Sequence, residues 1–258
     1  MKNYMLTDLE AIQTRISRRN YISKKIEKDL VDHFINRIID FNHDSGLTIS
    51  FIENASKAFD GLSKSYGMFK GVRSLIVLKG PSSDIHLKEK CGYFGELLVL
   101  EATKLGLGTC WVAGTFDKKD PLFNCQDGEQ LVCVIPIGYN EVKNSFGEKV
   151  IRKLSHRRSK DLEEFYSVLE PETKIPTWFI EGIKAVMLAP SAMNSQPVYF
   201  EVSGDKIAAC TADRKGTDLV DLGIAKLHFE LAARGSFPLG NGANFHKDHN
   251  ENNFSNAL

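Results

Sequence analysis

The chain has 258 residues, with 33 Lys and Arg against 33 Asp and Glu, so its formal charge is zero. That balance argues against a wholesale nucleic-acid or membrane-surface binder, and an apolar fraction of 42% is ordinary for a protein with a substantial core. No apolar run reaches the roughly 18 residues of a membrane span and no signal-peptide core opens the chain, so a cytoplasmic location without membrane or nucleic-acid partners is expected.

Thr7 to Arg15 reads as a short helix and Lys24 to Asp40 as a longer one, with Ile26, Leu30, Phe34 and Ile38 at helical spacing. After the turn Asn42 to Gly46, Leu47 to Ile52 reads as a strand. Ser74 to Lys79, closed by Gly80-Pro81, reads as another. Gly92 to Leu105 is a strongly apolar helix stopped by Gly106 and Gly108. A strand follows over Leu131 to Ile137, then a charged connector, Lys143 to Lys160, and an acidic amphipathic patch, Asp161 to Leu169. Trp178 to Leu188 reads as a helix, Val198 to Val202 and Lys206 to Thr211 as strands, and Asp218 to Arg234 as a second buried helix.

The second half repeats the plan of the first. Helix, loop, strand recurs, and Glu101 precedes Gly106 by the interval that separates Glu230 from Gly235. Arg15-x-Ser17 is likewise matched by Arg157-x-Ser159. That order of elements also arises by chance; if the repeat is real, the copies pack as a pseudo-two-fold pair within one chain. The expected division is 1–160, 161–238 and a polar tail, 239–258. His246 and His249 are spaced like metal ligands, but a solvated tail is the stronger reading and no metal site is expected. The five cysteines (Cys91, Cys110, Cys125, Cys133, Cys210) contain no C-x-x-C pair and read as buried thiols in a reducing compartment.

Four segments could carry chemistry. Thr14 to Tyr21 places Arg15, Ser17, Arg18 and Arg19 between two helices, which suits a phosphate or is simply a wet basic surface. Ser155 to Lys160, containing His156, Arg157 and Arg158, is a second and weaker basic cluster. Gly106 to Gly114 follows a buried helix. Its glycines permit close backbone approach to a planar ligand, or it is a helix stop with a core tryptophan. Ala189 to Pro197 displays Ser191, Asn194, Ser195 and Gln196 between two prolines, a polar turn or a donor-acceptor set for a flat cofactor. There is no G-x-G-x-x-G fingerprint after a strand, no Walker A sequence, no G-x-S-x-G elbow and no H-E-x-x-H pair.

Arg15-x-Ser17-x-Arg19-x-Tyr21 resembles the R-x-S-x-R-x-F/Y opening of the FMN-dependent nitroreductase family, and Pro190-Ser191-x-x-Asn194-Ser195-Gln196-Pro197 resembles its P-S-x-x-N-S-Q-P-W loop. Leu105 to Gly114 and Val134 to Tyr139 are similar to two further segments of the family, and His156-Arg157-Arg158 falls where it has a late basic pair. In the family the P-S loop comes early and reaches across a homodimer interface; here it comes late. The resemblance is therefore to the single-chain "putative TM nitroreductase" branch. It implies an α+β nitroreductase-like fold: a mainly antiparallel central sheet flanked by helices, built as two degenerate copies fused into an intrachain pseudo-dimer.

The resemblance also implies one FMN per chain, NAD(P)H as a transient reductant, and ping-pong hydride transfer to a nitroaromatic, quinone or similar acceptor, in a monomer or higher oligomer. Arg15, Ser17 and one or more of His156, Arg157 and Arg158 would hold the FMN phosphate, and Arg19 would lie toward the pyrimidine. Pro190, Ser191, Ala192, Asn194 and Gln196 would line the flavin from the other half, with the backbone of Trp111, Val112, Ala113 and Gly114 near N5. No catalytic side chain is implied, because the flavin carries the chemistry. Ile16, Ala113 and Val198 depart from the family's usual residues. The same fold also serves dehalogenation, flavin fragmentation and flavin binding without turnover; a protein that kept only the fold is a further alternative.

Overall fold

A computed structural model describes residues 6–56, 69–114, 116, 120–140 and 160–248. Helix α1 (Asp8–Thr14) starts with a capping box: the Glu10 amide donates to Thr7 Oγ1 (3.3 Å) and the Thr7 amide to Glu10 Oε2 (2.8 Å). Helix α2 (Lys28–Ser45) begins and ends later than its periodicity suggests, because its stop is Gly46, left-handed at φ 71°. The expected turn Asn42 to Gly46 is thus mostly the last turn of α2, which lets Phe41 join the core.

Strands β1 (Ser50–Ile52), β2 (Ser74–Pro81), β3 (Gly108–Thr109) and β4 (Glu129–Gly138) form an antiparallel sheet of order β1-β2-β4-β3. Both faces of β2 are covered, which is why its residues read as one apolar run rather than an alternation. Ile76 and Leu78 pack with α2 and with α3 (Leu87–Lys104), whereas Leu75 and Val77 pack with Val112, Phe116 and Phe123 on the other face.

The second half runs through a short 3₁₀ turn (Leu162–Phe165), β5 (Tyr166–Val168), α4 (Thr177–Met187), β6 (Val198–Ser203), β7 (Lys206–Thr211) and α5 (Asp218–Ala233). The acidic patch is therefore a turn and a strand rather than one element. The mainly antiparallel β-structure expected from the resemblance is present and is divided between the halves, the sheet of the second half, β5-β6-β7, containing one parallel pair, β5 with β6. A ring cluster of Phe179, Phe200, Phe229 and Phe237 fills the space between this sheet and helices α4 and α5.

The order α2-β1-β2-α3 recurs as α4-β6-β7-α5, and the two halves meet where α3 crosses α5. The contact is reciprocal: a Cβ on Gly92 would lie 2.0 Å from the Val220 carbonyl oxygen, and one on Gly223 2.0 Å from that of Glu89. Each glycine thus meets the backbone three residues before the other, the signature of a local two-fold axis. The fold is a duplicated α+β unit in a single chain.

The polar tail expected from residue 239 is mostly exposed through Asp248, yet it is held against β7. Phe245 is buried, its amide donates to Ile207 O (2.7 Å), and the Ala209 amide donates to Ala243 O (3.3 Å). Strand β9 (His246–Lys247) pairs with β8 (Gly235–Ser236), so this segment stands beside β7 as β4 stands beside β2. Phe245 is the apolar residue that ties it down, packing on Trp178 and Phe229. His249 lies outside the described residues. Four cysteines are buried as expected, but Cys125 is exposed, and all five are thiols. No helix among the described residues is long and apolar enough to cross a membrane.

Candidate active site

A cavity of ≈ 290 Å³ lies where three distant parts of the chain converge. Ser17 and Arg19 reach it from the segment after α1, Trp111 to Gly114 from the stretch after β3, and Pro190 to Met193 from the loop after α4. The start of α5 closes it with Gly216, Thr217, Val220, Asp221 and Ile224, and Cys110, Val132 and Cys133 add apolar surface.

The N-terminal segment is held by backbone pairing. Ser17 bridges Thr109, and the Arg18 amide donates to Thr109 O at 2.7 Å. Gly108 makes this approach possible, since a Cβ there would stand 2.8 Å from Arg18 Cγ. Tyr21 completes the anchor by donating its hydroxyl to Arg18 O (2.7 Å) or Pro136 O (3.1 Å).

The Trp111 to Gly114 wall continues the sheet: Val112 exchanges both amide hydrogen bonds with Val134 at 2.9 Å. The Trp111 ring fits over Gly95, where a Cβ would come within 2.5 Å of it, and its Nε1–H donates to Glu96 Oε2 (2.8 Å). Glu96 is fully buried and also meets His228 Nε2 (3.0 Å), while His228 Nδ1 lies 3.0 Å from the Ala185 carbonyl and donates to it. At Gly114 a Cβ would meet none of the described residues within 4 Å.

The P-S loop holds an unusual backbone. Met193, Asn194 and Gln196 have φ of 54°, 52° and 44°, the left-handed region that non-glycine residues seldom occupy. Hydrogen bonds over-determine it. The Gln196 amide donates to Ser191 Oγ (2.9 Å), and the Gln196 side chain donates to Met187 O (3.2 Å) while accepting from the Lys160 amide (3.0 Å). The Ala192 amide lies 3.2 Å from both oxygens of Asp221. Burial pushes the Asp221 carboxyl up to about 7 against the opposing pull of that amide, and Asp218 adds to the rise.

The structure thus brings together Ser17, Arg19, Trp111, Val112, Ala113, Gly114, Pro190, Ser191 and Ala192. Arg15, Asn194 and Gln196 are not in the cavity's lining. Arg15 turns to the helices instead: its Nη2 donates to Leu188 O (3.2 Å) and its Nε lies 3.7 Å from Glu96 Oε1. His156, Arg157 and Arg158 lie outside the described residues. Sequence reasoning missed the α5 contribution; the available signal was two acids, Asp218 and Asp221, on the first turn of a helix buried along most of its length.

These features define an α+β protein of the nitroreductase-like fold with an intrachain cavity between its two halves. The chain belongs to the family described as "Putative TM nitroreductase", whose model matches residues 8–233. A crystal structure of a "putative nitroreductase" from Thermotoga maritima is similar to it at 21% identity and a TM-score of 0.63, covering 94% of this chain and 93% of that one. A Clostridium difficile nitroreductase family protein is similar at 20% identity and TM-score 0.45, over 66% of this chain and 100% of that one. A Bacteroides fragilis nitroreductase with bound FMN is similar at 19% identity and TM-score 0.42, over 55% and 92%. No curated protein matches the chain.

Proposed function

We propose that the protein is an FMN-dependent oxidoreductase that passes a hydride from NAD(P)H to a nitroaromatic, quinone or similar acceptor, with one FMN per chain, as a cytoplasmic monomer. One observation carries the reading: the resembling segments at Ser17–Arg19, Trp111–Gly114 and Pro190–Ala192, far apart in sequence, line a single cavity. The lining suits a planar heterocycle. The backbone after β3 contributes Gly114; Val220 and Ile224 offer apolar surface, and Ser17, Arg19 and Ser191 supply polar groups in the lining.

Bound FMN would supply the hydride acceptance and return. Arg19 would place positive charge by the ring, and Ser17, with the cluster at His156 to Arg158, would serve the phosphate. Arg15, Asn194 and Gln196 would then act on the shape of the P-S loop rather than by lining the cavity.

The test is the absorbance spectrum of the protein after incubation with FMN and gel filtration, with the flavin-to-chain ratio. A ratio near one, bleaching by NAD(P)H and reoxidation by a nitroaromatic are expected. A colourless protein would overturn the proposal, and flavin that binds without bleaching would make this a binding protein without turnover.

A further inference from the structure

Arg19 and Asp221 are the charged side chains among the described residues that line the cavity. Asp221 sits in the first turn of α5 and is 5% exposed. Its two oxygens share one donor, the Ala192 amide, at 3.2 Å each. A carboxylate has room for about four hydrogen bonds, so this anion is under-served by protein and depends on water in the cavity. Behind the loop a second space, also bordered by Asp221, measures ≈ 10 Å³, room for at most about one water. A flat ligand entering the larger cavity would displace the remaining water and leave the anion stranded.

We propose that Asp221 is the proton-carrying residue of this cavity. It takes up one proton from solvent as the ligand enters, keeps one oxygen on the Ala192 amide, and turns its new O–H toward an acceptor atom of a planar heteroaromatic carbonyl compound. The identity of that compound as FMN rests on the reading above.

The surroundings favour a neutral acid. Burial already pushes the carboxyl up to about 7. On its own element Asp218 opposes its ionisation and Lys215 weakly favours it. Across the cavity stand Arg19 and the thiols of Cys110 and Cys133. On α3, Glu89 is bound to Lys226 and the Gly240 amide, and Glu96 to Trp111 and His228. On α4, Glu181 and Lys184 pair with each other in solvent. From the P-S loop the Ala192 amide reaches the carboxylate, and the cation whose charge opposes protonation is Lys215.

The experiment measures FMN affinity by quenching of flavin fluorescence between pH 7 and 9, above the second phosphate ionisation near 6. The wild-type affinity should fall by up to about tenfold per pH unit above 7, and calorimetry in two buffers at about pH 8.5 should show uptake of about one proton. Asp221→Asn supplies a carbonyl for Ala192 and an N–H donor for the ligand, so it should bind at least as tightly as wild type at pH 7 and show a flat profile. Asp221→Leu should speed amide exchange over 189–197 by about tenfold or more. An equal pH slope in wild type and Asp221→Asn would overturn the proposal. Independently of any ligand, carboxyl ¹³C NMR of the FMN-free protein should show one aspartate titrating near 7 that is missing from Asp221→Asn. A midpoint near the ordinary ~4 would overturn the inference even if FMN binds, whereas failure of wild type to bind FMN with the titration intact would sink only the flavin reading.

Discussion

Gly92 and Gly223 face each other's helix backbone across the α3–α5 crossing, each leaving no space for a methyl group: the nearest carbonyl oxygen would be 2.0 Å from the added carbon in both cases. The joint between the two halves is therefore set by two missing side chains.

Gly92→Ala and Gly223→Ala are each expected to destabilise the protein by about 3 kcal/mol, the upper range for overpacking, despite the better helix propensity of alanine. At about 2–4 °C per kcal/mol for a chain of this size, a thermal scan would read a clear drop. Because both residues hold the same pair of helices together, the double variant should lose less than the sum of the single losses. Full additivity would mean that the two contacts are independent and the crossing is not a single joint.

Glu96 joins Trp111 on the cavity wall to His228 in the core, with no exposure to water. Glu96→Ala would strand the indole N–H and leave His228 without its partner. A loss of about 3–5 kcal/mol is expected, in the range for breaking one side of a buried polar pair. Tryptophan fluorescence should shift even in the folded variant, because the ring loses its anchor. An unchanged emission spectrum would show that the packing of the ring over Gly95 alone fixes it.

The two arginines of the opening motif should separate by readout. Arg19→Ala is expected to weaken FMN binding by about 1.5–3 kcal/mol, the range for a charged hydrogen bond. Arg15→Ala removes the tie to Leu188 O beneath the P-S loop, so its first effect should be on stability and on amide exchange over 189–197. Equal and selective loss of FMN in both variants would place Arg15 at the cofactor after all.

Glu230 carries a pH dependence whose sign follows from its burial. Desolvation pushes its carboxyl up to about 7, opposed by hydrogen bonds from Tyr93 and the Phe237 amide. A raised carboxyl binds its proton more tightly in the folded chain than in the unfolded one. Its contribution to stability is therefore complete below the ordinary value of 4.5 and is lost as pH rises through about 7. The size is on the order of 3 kcal/mol. Urea titrations at pH 5 and pH 8 should show a smaller difference in Glu230→Gln than in wild type. Glu129, held down to about 2 by its hydrogen bond from Lys79, acts with the opposite sign but below this window.

Much of the architecture was legible because apolar spacing reports burial directly. The helices at Phe34 and Phe229 and the strands at Val77 and Val202 fall where periodicity puts them. The helix start at Lys28 was not legible, since Lys24 to Glu27 has helical composition and nothing local forbids a further turn. Residues 243–247 read as solvent-facing because hydrogen bonding to β7 and one phenylalanine, rather than an apolar pattern, hold them. In the site, the P-S loop announced itself through its prolines and polar side chains. Asp221 did not: its importance comes from the Ala192 amide, a neighbour 29 residues away in sequence. The Arg15 contact was not legible for a related reason, as a charged side chain at a motif position can reach a backbone carbonyl such as that of Leu188.

The walls of the cavity belong to one covalent chain, with Arg19 on one side and Ser191 on the other. A pocket shared between separate subunits empties and dissolves on dilution, at a concentration set by the subunit dissociation constant. Here the second wall is tethered, at an effective concentration of order millimolar however few molecules are present. Occupancy of the site should therefore depend on the ligand's concentration and be indifferent to the protein's own, down to single molecules.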